Sequence, residues 1–280
     1  MEFMLHMMTD KLLFKPPPRE NDWKCPHDCR NIRVRALSGD EIHCQLIGPW
    51  DKPVDIHNYK ETDILLMYLH GNNEDIASSV SYRQWLANHT SANVLTCDYP
   101  GYGFSTGDPS EEGMHHAAMA MLDLATTKLD QSPAQIIVLG KSIGSTPAIG
   151  LASHSYCVNL RGLILVSPVA SGVRCLSISS RLPEYLLNNL DSLILPNIKH
   201  IHSVSCPIQF IHGLDDQIVP CNNTRSLISA MNKKVCVEPL FVKAGHNNIE
   251  SEHTSTFLNV IQDFIELCRQ RQSFSVPYEY

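Results

Sequence analysis

Short apolar runs at residues 64–69, 94–97, 136–139, 163–166, 208–211 and 240–242 recur along the chain, separated by stretches with helical spacing. Runs of this kind are strands buried on both faces, and alternation with helices makes their sheet mainly parallel. Ser110 is a plausible N-cap for a helix presenting Met114, Ala117, Ala118, Met121 and Ala125 on one side. Phe257, Leu258, Ile261, Phe264, Ile265 and Cys268 form a second apolar helical face near the C-terminus. Upstream, Ile32 to Leu37 alternates, Ser38-Gly39-Asp40 turns the chain, and Glu41 to Ile47 follows, which predicts an antiparallel hairpin with one solvated face. The expectation is an α/β fold with a mixed, mainly parallel sheet and helices on both faces. It occupies residues 31–271, after an N-terminal extension at 1–30 and before a poorly ordered tail at 272–280. Residues 169–205 break the rhythm and read as a short cap-like insertion of small helices over the sheet's carboxyl edge.

At 280 residues the chain can bury a single large core. Its net charge of -7 argues against a nucleic-acid binder, which would carry a basic patch. Ten cysteines are scattered, and Cys97, Cys236 and Cys268 sit in apolar runs, so free thiols in a reducing, cytoplasmic setting are expected. Cys25, His27 and Cys29 lie close together, but a structural zinc site needs a second ligand pair and none follows, so no metal is expected. The Asn88 and Asn222 acceptor patterns for glycosylation are read as chance. Residues 1–15 lack the basic start and apolar core of a signal peptide, and nowhere do some 18 apolar residues run together. Met4, Leu5, Met7, Met8, Leu12, Leu13 and Phe14 fit one face of a short helix, either touching a membrane peripherally or packing on the domain.

Gly140-Lys141-Ser142-Ile143-Gly144 follows directly on the run 136–139 and precedes a helix-compatible stretch from Thr146. A sharp strand-to-helix turn lifts such a serine above the sheet, and its neighbours two residues away must lack side chains. The helix N-terminus beneath favours developing negative charge. The pattern arises by chance in about one such chain in twenty; its place at a strand end makes it specific. A P-loop would need glycine where Gln135 stands. Gly101-Tyr102-Gly103-Phe104-Ser105-Thr106-Gly107 spaces its third glycine wrongly for a dinucleotide fingerprint and is a turn. No cofactor is called for.

A serine hydroxyl needs a base, and the base needs an orienting acid. In chain order after Ser142, the run 208–211 ends in His212-Gly213-Leu214-Asp215-Asp216, and the run 240–242 ends in Lys243-Ala244-Gly245-His246. His246 is the candidate base, while either Asp215 or Asp216 can be the acid. His115 and His116 fall mid-helix, and His212 reads as a turn-shaping residue. An oxyanion needs two backbone donors. Ile143 supplies one, and the loop His70-Gly71-Asn72-Asn73 after the run 64–69 supplies the other through the Asn72 amide, with Gly71 allowing close approach.

From about Leu65 to Glu250 these segments resemble the alpha/beta-hydrolase-domain-17 type proteins of the α/β-hydrolase superfamily, enzymes that remove palmitate from protein cysteines. The likeness rests on His70-Gly71-Asn72, Asp98-Tyr99-Pro100-Gly101-Tyr102-Gly103, Ser142-Ile143-Gly144, Ser167-Pro168, His212-Gly213 with Asp216, and Gly245-His246-Asn247 with Ile249-Glu250. Lys11-Leu12-Leu13-Phe14 with the following prolines is similar to the family's lead-in. The resemblance implies an α/β-hydrolase fold, places the acid on Asp216, and implies thioester hydrolysis on an acylated protein or lipid-like ester. Family members begin with an acylated cysteine cluster; here the first cysteine is Cys25, so that anchor is not expected. The alternatives are a small-ester carboxylesterase or serine peptidase of the same fold, and a non-catalytic binding module.

Overall fold

The computed structural model describes residues 13–19, 23–24, 29–50, 54, 64–154, 159–175 and 182–270. The expectations for residues 1–12, for Cys25 and His27, and for the tail from 271 lie outside the described residues.

Eight strands form one sheet in the order β1-β2-β4-β3-β5-β6-β7-β8. They are β1 (Cys29–Arg35), β2 (Glu41–Ile47), β3 (Leu65–Leu69), β4 (Asn93–Cys97), β5 (Ile136–Lys141), β6 (Gly162–Val166), β7 (Ile208–Gly213) and β8 (Leu240–Val242). The apolar runs became β3 to β8, which pair in parallel throughout. β2 is antiparallel to both neighbours, so the sheet is mixed as expected.

Helices α1 (Val80–Thr90), α2 (Glu111–Asp123), α3 (Ser145–Ser153), α4 (Glu184–Leu190), α5 (Asn197–His200), α6 (Asn222–Ala230), α7 (Ile249–Glu252) and α8 (Thr254–Gln270) complete the chain. Successive strand residues enter opposite cores, because side chains alternate across a sheet. Leu65, Met67 and Leu69 pack with residues of α2, α3 and α6. Leu66 and Tyr68 pack with α1 and α8. The Ser110 hydroxyl accepts from the Gly113 amide at 3.0 Å, capping α2 as its sequence suggested. The half-buried His115 ring packs against Gly150, and its loss of solvent, with His200 and His116 nearby, brings its pKa down to about 4.

The hairpin differs from expectation in one respect. Only β1 has a solvated side; β2 is buried on both faces. Its second face carries His43 and Gln45, and polar partners make their burial tolerable. His43 Nδ1 lies 3.3 Å from Asp98 Oδ2, and the fully buried Arg83 of α1 donates to Gln45 Oε1 at 2.7 Å and the Ile76 carbonyl at 2.6 Å.

Within residues 169–205, α5 packs on α3: Asn197 Nδ2 donates to Thr146 Oγ1 at 3.0 Å and to the Val169 carbonyl at 2.8 Å. The buried Arg174 guanidinium pairs with Asp191 at 2.8 Å and holds α4 to the turn after β6. Residues 176–181 lie outside the described set.

Candidate active site

β5, β7 and β8 run parallel, so the segments leaving their carboxyl ends share one edge of the sheet. Ser142 stands at the first of them with φ of 53°, a left-handed conformation that costs a non-glycine residue about 1–3 kcal/mol. Ser142–Gly144 makes one tight turn and α3 begins at Ser145. The Ser145 hydroxyl secures the turn, donating to the Ser142 carbonyl at 2.6 Å and accepting from the Val169 amide at 3.0 Å.

His246 Nε2 lies 2.9 Å from Ser142 Oγ, and its Nδ1 lies 2.6 Å from Asp216 Oδ2. A carboxylate only accepts, so Nδ1 carries the hydrogen and Nε2 offers its lone pair to the serine hydroxyl. Asp216 is buried, whereas Asp215 faces solvent, so geometry joins Asp216 and not its neighbour to the histidine. The other Asp216 oxygen accepts from the Ile218 and Val219 amides at 2.9 and 2.8 Å. His212 Nε2 reaches the Val219 carbonyl at 2.8 Å and Asp216 Oδ2 at 3.3 Å, so this histidine does shape the acid's turn. A serine, imidazole and buried carboxylate in this linkage can pass a proton from hydroxyl to ring while the carboxylate holds the imidazolium.

Burial alone would raise the Asp216 pKa. Hydrogen bonds from His212 and His246, the charge of His246 and the Val219 amide outweigh it and hold the carboxyl well below the usual aspartate range. A native pKa below the unfolded one means that stability is present above the unfolded value and lost as pH falls through the native one. Wild type is therefore expected to exceed Asp216→Asn in melting temperature near neutral pH, with the gap closing below about pH 4. Melts of both proteins from neutral to acid check this; a gap that widens on acidification refutes it.

The segment after β3 carries Asn72. Its amide donates to no group among the described residues, and Ile143 opens the turn after Ser142, where first-turn amides lack helical acceptors. At Gly71 a Cβ would meet only the Glu74 carboxyl, at 3.6 Å.

Sequence reasoning missed a charged cluster behind these segments. Lys141 Nζ lies 3.1 Å from Glu74 Oε1 and 3.4 Å from Glu250 Oε1. Glu74 Oε2 accepts from Tyr68 Oη at 2.6 Å and from the Gly71 amide at 3.2 Å. The available signal was a lysine ending an otherwise apolar strand, with acids on two segments that follow other parallel strands.

No family model matches the chain. It is 29% identical over 242 residues to alpha/beta hydrolase domain-containing protein aho-3 of Caenorhabditis elegans, covering 86% of the chain and 66% of that protein. Against the domain-containing protein 17C of Mus musculus identity is 33% over 186 residues, covering 66% of the chain and 55% of that protein. The 17B protein of Xenopus tropicalis is 31% identical over 220 residues, covering 78% of the chain and 69% of the relative. The chain belongs to the alpha/beta hydrolase domain-containing protein 17 family. It spans between about half and two thirds of the length of these relatives. The Pyrococcus furiosus esterase Pf2001 superposes with a TM-score of 0.68 at 18% identity, covering 90% of the chain and 99% of the esterase, and GrgF of Penicillium with 0.64 at 14%, covering 88% and 99%. The fold of this domain-17 family member is the α/β-hydrolase fold.

Residues 13–15 meet the candidate site through Asn72. Its side chain accepts from the Lys15 amide at 2.9 Å and Tyr102 Oη at 2.8 Å, and donates to the Leu13 carbonyl. Phe14 between them is buried. Lys11 and Leu12 lie outside the described residues. No helix among the described residues is long and apolar enough to cross a membrane.

Proposed function

We propose that this protein is a serine hydrolase that cleaves acyl thioesters and esters through an acyl-enzyme, and that its substrates are proteins carrying palmitate on cysteine. The linkage of Ser142 Oγ to His246 Nε2 at 2.9 Å and of His246 Nδ1 to Asp216 at 2.6 Å carries the proposal.

In this reading His246 takes the Ser142 proton as Oγ attacks the thioester carbonyl. The Ile143 and Asn72 amides hold the oxyanion, and loss of one such donor costs on the order of 100- to 1,000-fold in rate. Collapse expels the cysteine thiolate, which takes the proton from His246 and leaves an acyl-Ser142 ester. Water, deprotonated by the same histidine, attacks that ester and releases the fatty acid. Asp216 keeps the imidazole in the tautomer both steps need.

Family membership supports a protein-bound acyl substrate. The exposed Leu214 and Ile218, each two residues from Asp216, give that edge the apolar character a fatty chain would use.

A fluorophosphonate probe tests the chemistry: wild type is expected to label and Ser142→Ala to remain unlabelled. Equal labelling of the two removes Ser142 from the role. The substrate class is tested by comparing a palmitoyl-cysteine peptide with p-nitrophenyl acetate, with a higher kcat/KM expected for the peptide. Preference for the acetate would make the protein a small-ester esterase.

A further inference from the structure

We propose that Lys141, held between Glu74 and Glu250, is a positioning residue that fixes the three segments carrying the oxyanion donor, the nucleophile and the base relative to one another. This rests on the acyl-transfer reading above.

Both carboxylate contacts of the lysine lead to segments that carry a proposed reacting group. Lys141 precedes Ser142 directly. Glu74, 3.1 Å from Lys141 Nζ, accepts the Gly71 amide at 3.2 Å, and Gly71 precedes Asn72. Glu250, 3.4 Å from the same ammonium, lies at the start of α7, four residues beyond His246. The side chains are 12%, 27% and 14% exposed for Lys141, Glu74 and Glu250, so water screens these contacts little. The Lys141 ammonium also lies 5.2 Å from the Tyr82 ring of α1.

A buried ion pair adds little net stability over an apolar replacement of similar volume, while its geometry can select one arrangement among several. One cation here serves two carboxylates on separate segments, which a single apolar side chain could not hold at fixed distances. Burial disfavours the Lys141 charge, but Glu250 and Glu74 more than compensate and raise its pKa. Burial also raises Glu74, and Lys141, Tyr68, His70 and the Gly71 amide together reverse this.

Removing the cation therefore leaves two carboxylates facing each other, surrounded by Tyr68 of β3, Tyr82 of α1 and His70 at the end of β3. Burial and the two glutamates push both phenols up, so both stay neutral and add no further negative charge. One carboxyl would hold a proton at low pH. As pH rises and that proton leaves, the like charges repel and the Asn72 and His246 segments move away from Ser142. The sign is opposite to that of a base histidine, whose deprotonation raises activity with pH.

The experiment uses the full chain. Wild type, Lys141→Met, Lys141→Arg and Glu250→Gln are compared in fluorophosphonate labelling rate and p-nitrophenyl ester hydrolysis from pH 5 to 10. Glu250→Gln keeps the Lys141–Glu74 pair, so it is expected to fold, to keep KM within about twofold, and to lose about 10- to 100-fold in kcat and labelling rate. Lys141→Met is expected to show a profile that turns down above neutral pH where wild type stays level, and Lys141→Arg to restore the wild-type shape. Wild-type rates and profiles in both Glu250→Gln and Lys141→Met overturn the proposal, as does an arginine variant no better than methionine. If Lys141→Met fails to fold, Glu250→Gln decides alone: a wild-type rate overturns it. Wild type that does not label at Ser142 sinks the acyl-enzyme reading instead.

Discussion

Ser142→Ala is expected to lower kcat for ester hydrolysis by about a million-fold, and adding His246→Ala is expected to change it no further. The two side chains act as a unit: without the hydroxyl there is no proton for the histidine to take, and without the histidine the hydroxyl stays protonated and unreactive. Their 2.9 Å contact makes them one device, so their losses do not sum. What survives comes from the oxyanion hole and binding, about 10³ to 10⁴ over water. Folding should not change much, because Ser142 is a small side chain in a left-handed conformation that gains nothing from its hydroxyl except the histidine contact. Kinetics of the two single variants and the double variant, with melting curves, check this. Losses that multiply in the double variant would mean that the residues act separately and would dismantle the proposed relay.

The sheet was legible in the sequence because strands buried on both faces must be continuously apolar, and six such runs each became a strand. Ser142, Asp216 and His246 were legible because each follows the end of a parallel strand, where the topology forces convergence. The choice between Asp215 and Asp216 was not visible in spacing, since adjacent loop residues differ only in where the turn points them. It followed from the resemblance, and the turn amides of Ile218 and Val219, which both donate to Asp216, give the physical reason. The burial of β2 escaped because His43 and Gln45 look like solvent-facing residues. Gln45 is covered by Arg83, a charged residue that sequence patterns assign to a surface, and His43 by Asp98 and Phe104. The Lys141 cluster escaped for the same reason: charges far apart in sequence reveal a buried network only once their loops are brought together. The contact of the Gly71 amide with Glu74 belongs to that network and was equally invisible in spacing.

Gly144→Ala is expected to destabilise the protein by about 3 kcal/mol, lowering the melting temperature by about 10 °C, whereas Gly71→Ala should change it by no more than about 2 °C. Gly144 has an ordinary helical φ of -61°, so conformational freedom is not the issue. Its Cβ would stand 2.2 Å from the Leu69 carbonyl oxygen and 2.6 Å from that of His70. Both are backbone atoms at the end of β3, and neither can swing aside as a flexible side chain would. Gly140 is confined in the same way, with Ala148 Cβ and the Gly144 carbonyl each at 2.7 Å. At Gly71 the new methyl meets only the Glu74 carboxyl at 3.6 Å, an ordinary contact. Melting curves of the two variants check the contrast, and equal stability would show that the elbow can relax. The glycines flanking Ser142 thus answer a demand for space, while the serine itself bears the left-handed backbone. The close approach at Gly144 has a chemical consequence. It seats the turn containing the Ile143 amide directly against the strand end that leads to Asn72, so the separation of the two proposed oxyanion donors is set by a contact that only glycine permits. A fluorophosphonate labelling rate for Gly144→Ala that falls further than its loss of folded protein would read out that widening directly.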